Sequence, residues 1–146
     1  MSQCSLWKSM LRIALVLSAF VPVGIAGAGQ SNQPDEIDRT AATRGELTYR
    51  TYCKSCHGRE ARGDGALAKD LKVQPANLAE LATRTGGEFP FEMVMQTIEH
   101  GRSVRGHGSE DMPAWGDAFE MTSESEAEAK AKMADLAHYL WSIQDK

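Results

Sequence analysis

An all-α fold is what this chain of 146 residues predicts, on three observations. Residues 123–143 repeat apolar side chains at helical spacing, and residues 90–100 do the same between a proline and a glycine. No stretch alternates apolar and polar side chains as a half-buried strand does. The expectation is about three main helices, with short helices and loops between them.

The chain opens on Lys8 and Arg12, an apolar run over 13–25, and the small residues Ala26, Gly27 and Ala28. Charge, apolar core and an A-x-A ending read as a secretory leader over 1–28, cleaved after Ala28. The alternative is a retained anchor. Against it, 11–28 is barely long enough to span a bilayer, which takes roughly 20 apolar residues, and Pro22 and several glycines weaken it as a permanent helix. Polar residues then place a linker over 29–35, leaving 36–146 as one domain.

Residues 35–52 read as the first helix, with Asp38 or a Thr43-x-x-Glu46 box as its start signal. Gly45, Tyr49 and Tyr52 share one face, a notch followed by two rings that should pack closely on a partner. The glycine-rich run 58–65 is a turn too polar for the core. Residues 66–71 suit a short helix, and 73–78 is broken by Pro75. Residues 90–100 start at Pro90, align Phe91, Val94, Met95 and Ile98, and stop at Gly101. An open loop over 102–111 leads into Met112-Pro113-Ala114-Trp115-Gly116. The last helix has a Ser123-x-x-Glu126 box, Glu126–Lys130 and Glu128–Lys132 pairs, and a stripe of Met133, Leu136, Ala137 and Leu140 widened by Tyr139, Trp141 and Ile143.

The chemistry lies in Cys53-Lys54-Ser55-Cys56-His57. C-x-x-C-H is the attachment signature of a c-type haem. The two thiols form thioethers with haem vinyl groups, and the adjacent imidazole lies under the macrocycle as an iron ligand. A thioredoxin-like site needs a βαβ context, and structural zinc needs a second ligand pair; His100, His107 and His138 do not supply one. Export would remove Cys4, leaving Cys53 and Cys56 as a bare pair in an oxidising compartment, where haem claims them before a disulfide does.

Loss of Lys8 and Arg12 with the leader takes the net charge from −4 to −6, which argues against a nucleic-acid partner. The acidic excess lies in 112–146 and reads as a solvated helix face.

In order, Gly45-x-x-x-Tyr49, CKSCH, GDG at 63–65, PANL at 75–78, MPAWG at 112–116 and LAHYLWS at 136–142 resemble a class I c-type cytochrome of the small bacterial monohaem kind. The resemblance covers about 44–144. It implies the class I cytochrome c fold around one covalently bound haem c, with the first and last helices crossing at Gly45. It implies thioethers at Cys53 and Cys56, iron ligation by His57 and Met112, a carbonyl of Pro75 accepting the outer N–H of His57, and a periplasmic location. Among the methionines after the leader, Met95 and Met133 sit on apolar helix faces, Met93 lies off its helix's apolar face, and Met121 precedes the last helix. Met112 alone stands in a loop before proline; His107 is its main rival. Trp115 either lines the haem edge or fills core, whereas Arg59 and Arg62 read as solvent-facing.

His/Met ligation leaves no open position at the iron, so the implied function is electron transfer without substrate chemistry. The implied partners are redox proteins: a dehydrogenase or reductase as donor, an oxidase or another cytochrome as acceptor. The membrane is met transiently or through an uncleaved leader. A dedicated subunit of a dehydrogenase or oxidase complex is the first alternative, and a haem enzyme or gas sensor with an open sixth position is the second.

Overall fold

The computed structural model describes residues 34–101 and 112–145. The leader over 1–28, most of the 29–35 linker, and the 102–111 loop with His107 lie outside the described residues. Six α-helices follow one another among the described residues: α1 Arg39–Tyr52, α2 Lys54–His57, α3 Leu81–Arg84, α4 Phe91–His100, α5 Trp115–Met121 and α6 Glu126–Ser142. Short 3-10 turns occur at Ala68–Asp70 and Leu78–Glu80, and the described residues contain no strand. The all-α expectation holds.

Of the two start signals for α1, Asp38 is the one used. Its carboxylate accepts the N–H groups of Thr40 and Ala41 at 2.8 and 3.0 Å, satisfying two of the donors a helix start leaves open. The same bonds, Ala41's foremost, hold its carboxyl below the ordinary value. The Thr43 box does not form, because position 43 is already inside the helix and its hydroxyl donates to Arg39 O at 3.0 Å.

At α6 the capping box sits two residues later than its sequence position suggested. Ser125 Oγ accepts Glu128 N–H at 3.2 Å, and Glu128 reaches back to Glu124 N–H at 2.8 Å. Ser123 is still engaged in closing α5, its N–H 3.4 Å from Glu120 O. With Glu128 committed to the cap, the Glu128–Lys132 pair gives way: Lys132 donates to Ser123 Oγ at 3.2 Å and lies 5.7 Å from the Phe119 ring centre. Glu126–Lys130 forms as expected, at 2.6 Å. No apolar periodicity announces α5, whose seven residues become helical through packing on α4 and α6.

The notch at Gly45 meets its partner. A Cβ there would lie 2.0 Å from Asp135 O and 2.9 Å from Leu136 Cα, so α1 and α6 cross with backbones in contact. Around the crossing, the Tyr49 and Tyr139 rings pack 5.1 Å apart and Arg44 grips Asp135 through bonds of 2.7 and 2.6 Å. Buried His138 accepts Asp38 N–H at Nδ1, 3.2 Å away, tying the start of α1 to α6. Helix α6 also packs on α4 and α5. Tyr49, Phe89, Phe119, Met133 and Leu136 are fully buried in the resulting core, and Phe89 stacks on Trp141 at 5.6 Å.

Candidate haem site

Helix α1 runs almost directly into α2 through Cys53, whose carbonyl accepts the N–H groups of Cys56 at 3.2 Å and His57 at 2.9 Å. This single turn sets both thiols and the imidazole on one short piece of backbone. Its trailing carbonyls would be left bare, and the glycine-rich run takes them: Leu67 N–H reaches Ser55 O at 2.9 Å, Gly65 N–H reaches Cys56 O at 3.1 Å, and Gly63 N–H reaches His57 O at 2.8 Å. The buried Tyr49 hydroxyl donates to Gly58 O at 2.7 Å, fixing α1 to the same turn.

Gly65 permits this return, since a Cβ there would fall 2.3 Å from Ser55 O and 2.6 Å from the Cys56 carbonyl carbon. Gly65→Ala is therefore expected to push the turn off α2 at a cost of about 1–3 kcal/mol, the usual range for overpacking. Thermal unfolding and haem retention measure it, and unchanged values for both would refute the contact.

Cys53, Cys56 and His57 all face one cavity of about 520 Å³, within the roughly 300–1,000 Å³ of small-ligand sites. Val94 and Ile98 of α4 and Leu136 and Leu140 of α6 supply apolar wall. His57 is 8 % exposed, and its Nδ1 lies 3.0 Å from Ala76 O. A carbonyl only accepts, so Nδ1 carries the proton and Nε2 keeps the lone pair. Burial lowers the imidazole pKa, with the Ala76 bond partly opposing it, and favours the neutral form that binds metals. Burial likewise pushes the Cys53 thiol up to about 12, helped by neighbouring Cys56.

The acceptor for His57 is thus Ala76 and not Pro75, a correction of one residue. The Pro75 carbonyl is turned to the Gly63 backbone, where it would stand 2.2 Å from a Cβ on that glycine. A step of one residue along non-helical chain redirects the carbonyl, and spacing cannot tell the two apart.

Met112 is half-buried and lines the same cavity as His57. Its carbonyl abuts the end of α4, 2.9 Å from a Cβ placed on Gly101. Met93 lines the cavity as well, although it is 51 % exposed and lies off the buried face of α4, as expected. Met133 is core, Met95 packs against it, and Met121 is 87 % exposed. Trp115 lines the cavity and also packs on Tyr52 and Phe119 at 5.3 and 6.1 Å.

Arg59 is exposed, whereas Arg62 forms a two-pronged ion pair with Asp145. Arg84, which no motif marks, lines the cavity while pairing with Glu80 at 3.1 Å. Two thiols, an imidazole whose Nε2 has no partner among the described residues, a thioether and apolar walls form a donor set that suits a covalently held haem.

An all-α domain with such a cavity behind C-x-x-C-H is a class I c-type cytochrome. Residues 40–132 match the family described as cytochrome C oxidase, cbb3-type, subunit III, and the chain belongs to that family. Domains of this class carry electrons on haem c. No curated protein matches the chain. Among solved structures, a chain of the Kuenenia stuttgartiensis reducing HAO-like protein complex is similar, with a TM-score of 0.55 and 21% identity over 78% of this chain and 48% of that one. At that identity the likeness shows the fold. The present chain spans about half the length of that neighbour.

Proposed function

We propose that this protein is a periplasmic electron carrier that would hold one haem c through thioethers at Cys53 and Cys56, with His57 and Met112 as the residues that ligate its iron. The observation that carries this reading is that all four side chains line one cavity. The group supplies a one-electron ferric/ferrous couple when bound. His57 offers Nε2 with its tautomer set by Ala76, the Met112 thioether favours the reduced state, and the apolar walls keep water from the site. With His57 and Met112 both holding the iron, no site would be left there for a substrate, and the bound group would serve electron transfer without substrate chemistry. Redox partners dock at the rim of the cavity, where Val73, Met93 and Pro113 are exposed, through a small and short-lived interface.

Haem-stained electrophoresis under denaturing, reducing conditions tests the attachment, with intact mass giving the number of haems and the N-terminus. A stained band, one haem per chain and a start near Gly29 are expected. Cys53→Ala and Cys56→Ala should each lower the yield of holoprotein. Haem that extracts into acidified organic solvent would overturn covalent attachment, and recovery of full-length chain in membranes alone would overturn release into the periplasm.

The family's description as an oxidase subunit supports a second reading, a dedicated cytochrome of a larger redox complex. Co-purification of a stable partner under native conditions would favour it over the free carrier.

A further inference from the structure

Gln144, just beyond the end of α6, commits its entire side-chain amide to backbone. Nε2 donates to the carbonyls of Leu78 and Leu140 at 2.7 and 2.6 Å, and Oε1 accepts Ala82 N–H at 2.8 Å. Beside it, Asp145 N–H donates to Ala79 O at 2.8 Å, while the Asp145 carboxylate grips Arg62. The end of the last helix is thereby fastened to residues 78–82.

Two residues earlier on that segment stands Ala76, whose carbonyl accepts the His57 Nδ1–H bond. The link is short and well restrained. Asn77 Oδ1 accepts Ala79 N–H at 3.1 Å, and Leu78 N–H donates to Ala61 O at 2.7 Å. Ala61 is fully buried with φ +58°, a left-handed conformation costly for a residue with a Cβ and held by its surroundings. The Ala76 carbonyl is therefore supported by the Ala61 turn on one side and the Gln144 clasp on the other.

We propose that Gln144 is a positioning residue for the iron's imidazole ligand: by fixing 78–82 it sets how well the Ala76 carbonyl meets His57. The proposal rests on the reading of His57 as an iron ligand. An acceptor on the outer nitrogen raises the basicity of a ligating imidazole, and a stronger donor favours the ferric state. A slack clasp weakens that bond and shifts the reduction potential upward. Nothing in local sequence marks Gln144 for this task, since it is 87 residues from His57 along the chain.

The test uses the full-length holoprotein, with two readouts: the reduction potential, and the iron-shifted NMR resonances of the His57 ring in the ferric state. Gln144→Ala removes the clasp, and Gln144→Met removes it while keeping side-chain volume, so that the second variant still reports should the first fail to fold. Both are expected to raise the potential and move the His57 resonances. Ser125→Ala serves as the structural control, because it deletes the α6 cap far along the helix and should lower the unfolding midpoint without touching either readout. Gln144 variants that lose stability as Ser125→Ala does, yet keep wild-type potential and resonances, would reduce Gln144 to an anchor and overturn the proposal. Wild-type protein without iron-shifted His57 resonances would instead remove His57 as a ligand.

Discussion

Replacing Met112 by Ala is expected to abolish the weak sulfur-to-iron charge-transfer absorption of the ferric protein, lower the reduction potential and let carbon monoxide bind the ferrous form. A soft thioether stabilises ferrous iron, so its loss favours the ferric state. Axial-ligand identity spans about 0.8 V of haem potentials, which makes the shift large against any change in packing. Among the described residues two methionines line the cavity, and the second supplies the informative comparison. Met93→Leu keeps apolar volume and should cost less than about 1.5 kcal/mol while leaving absorption and potential unchanged. Loss of the absorption in Met93→Leu, with retention in Met112→Ala, would transfer the ligand role to Met93. Wild-type protein that binds carbon monoxide readily would count against a filled sixth position altogether, and with it the carrier reading.

Gly45→Leu is expected to produce the largest loss of stability. Overpacking a core costs about 1–3 kcal/mol when side chains can shift aside. At Gly45 the obstacle is backbone: Asp135 O stands 2.0 Å from where a Cβ would lie, and Leu136 Cα 2.9 Å. Neither can rotate away, so the helices must separate, disturbing the Tyr49–Tyr139 contact and the buried Tyr49 hydroxyl's bond to Gly58. A cost of about 3 kcal/mol in a domain of this size lowers the thermal midpoint by roughly 10 °C. Calorimetry of the holoprotein measures it, and a midpoint within about 2 °C of wild type would mean the crossing lies elsewhere. Because Tyr49 also holds the turn behind His57, haem incorporation should fall in the same variant.

Gly45 and Met112 differ in how far the sequence alone marks them. Gly45 reveals itself by lacking a side chain one helical turn before Tyr49, and the tertiary structure adds only which atoms fill the gap. Met112 stands out by its place before proline, but that signal speaks to local backbone and leaves Met93 undetected as a cavity-lining rival. Helical periodicity sorts a side chain as facing the core or not. It has no category for one that faces a cavity from the rim of a helix.

By itself, the sequence determined the all-α class, the proposed attachment triad Cys53, Cys56 and His57, the notch of the first helix and the stripe of the last. Each is carried by residues close together in the chain, where covalent spacing and helical repeat dictate geometry directly. The tertiary structure alone decided that Ala76 and not Pro75 accepts from His57, that Ser125 and not Ser123 caps α6, that residues 115–121 are helical, that Arg62 answers Asp145, and that Gln144 clasps 78–82. These depend on which of several equally capable groups is brought within about 3 Å by the fold. A hydrogen bond that short distinguishes neighbours one residue apart, and no local pattern does.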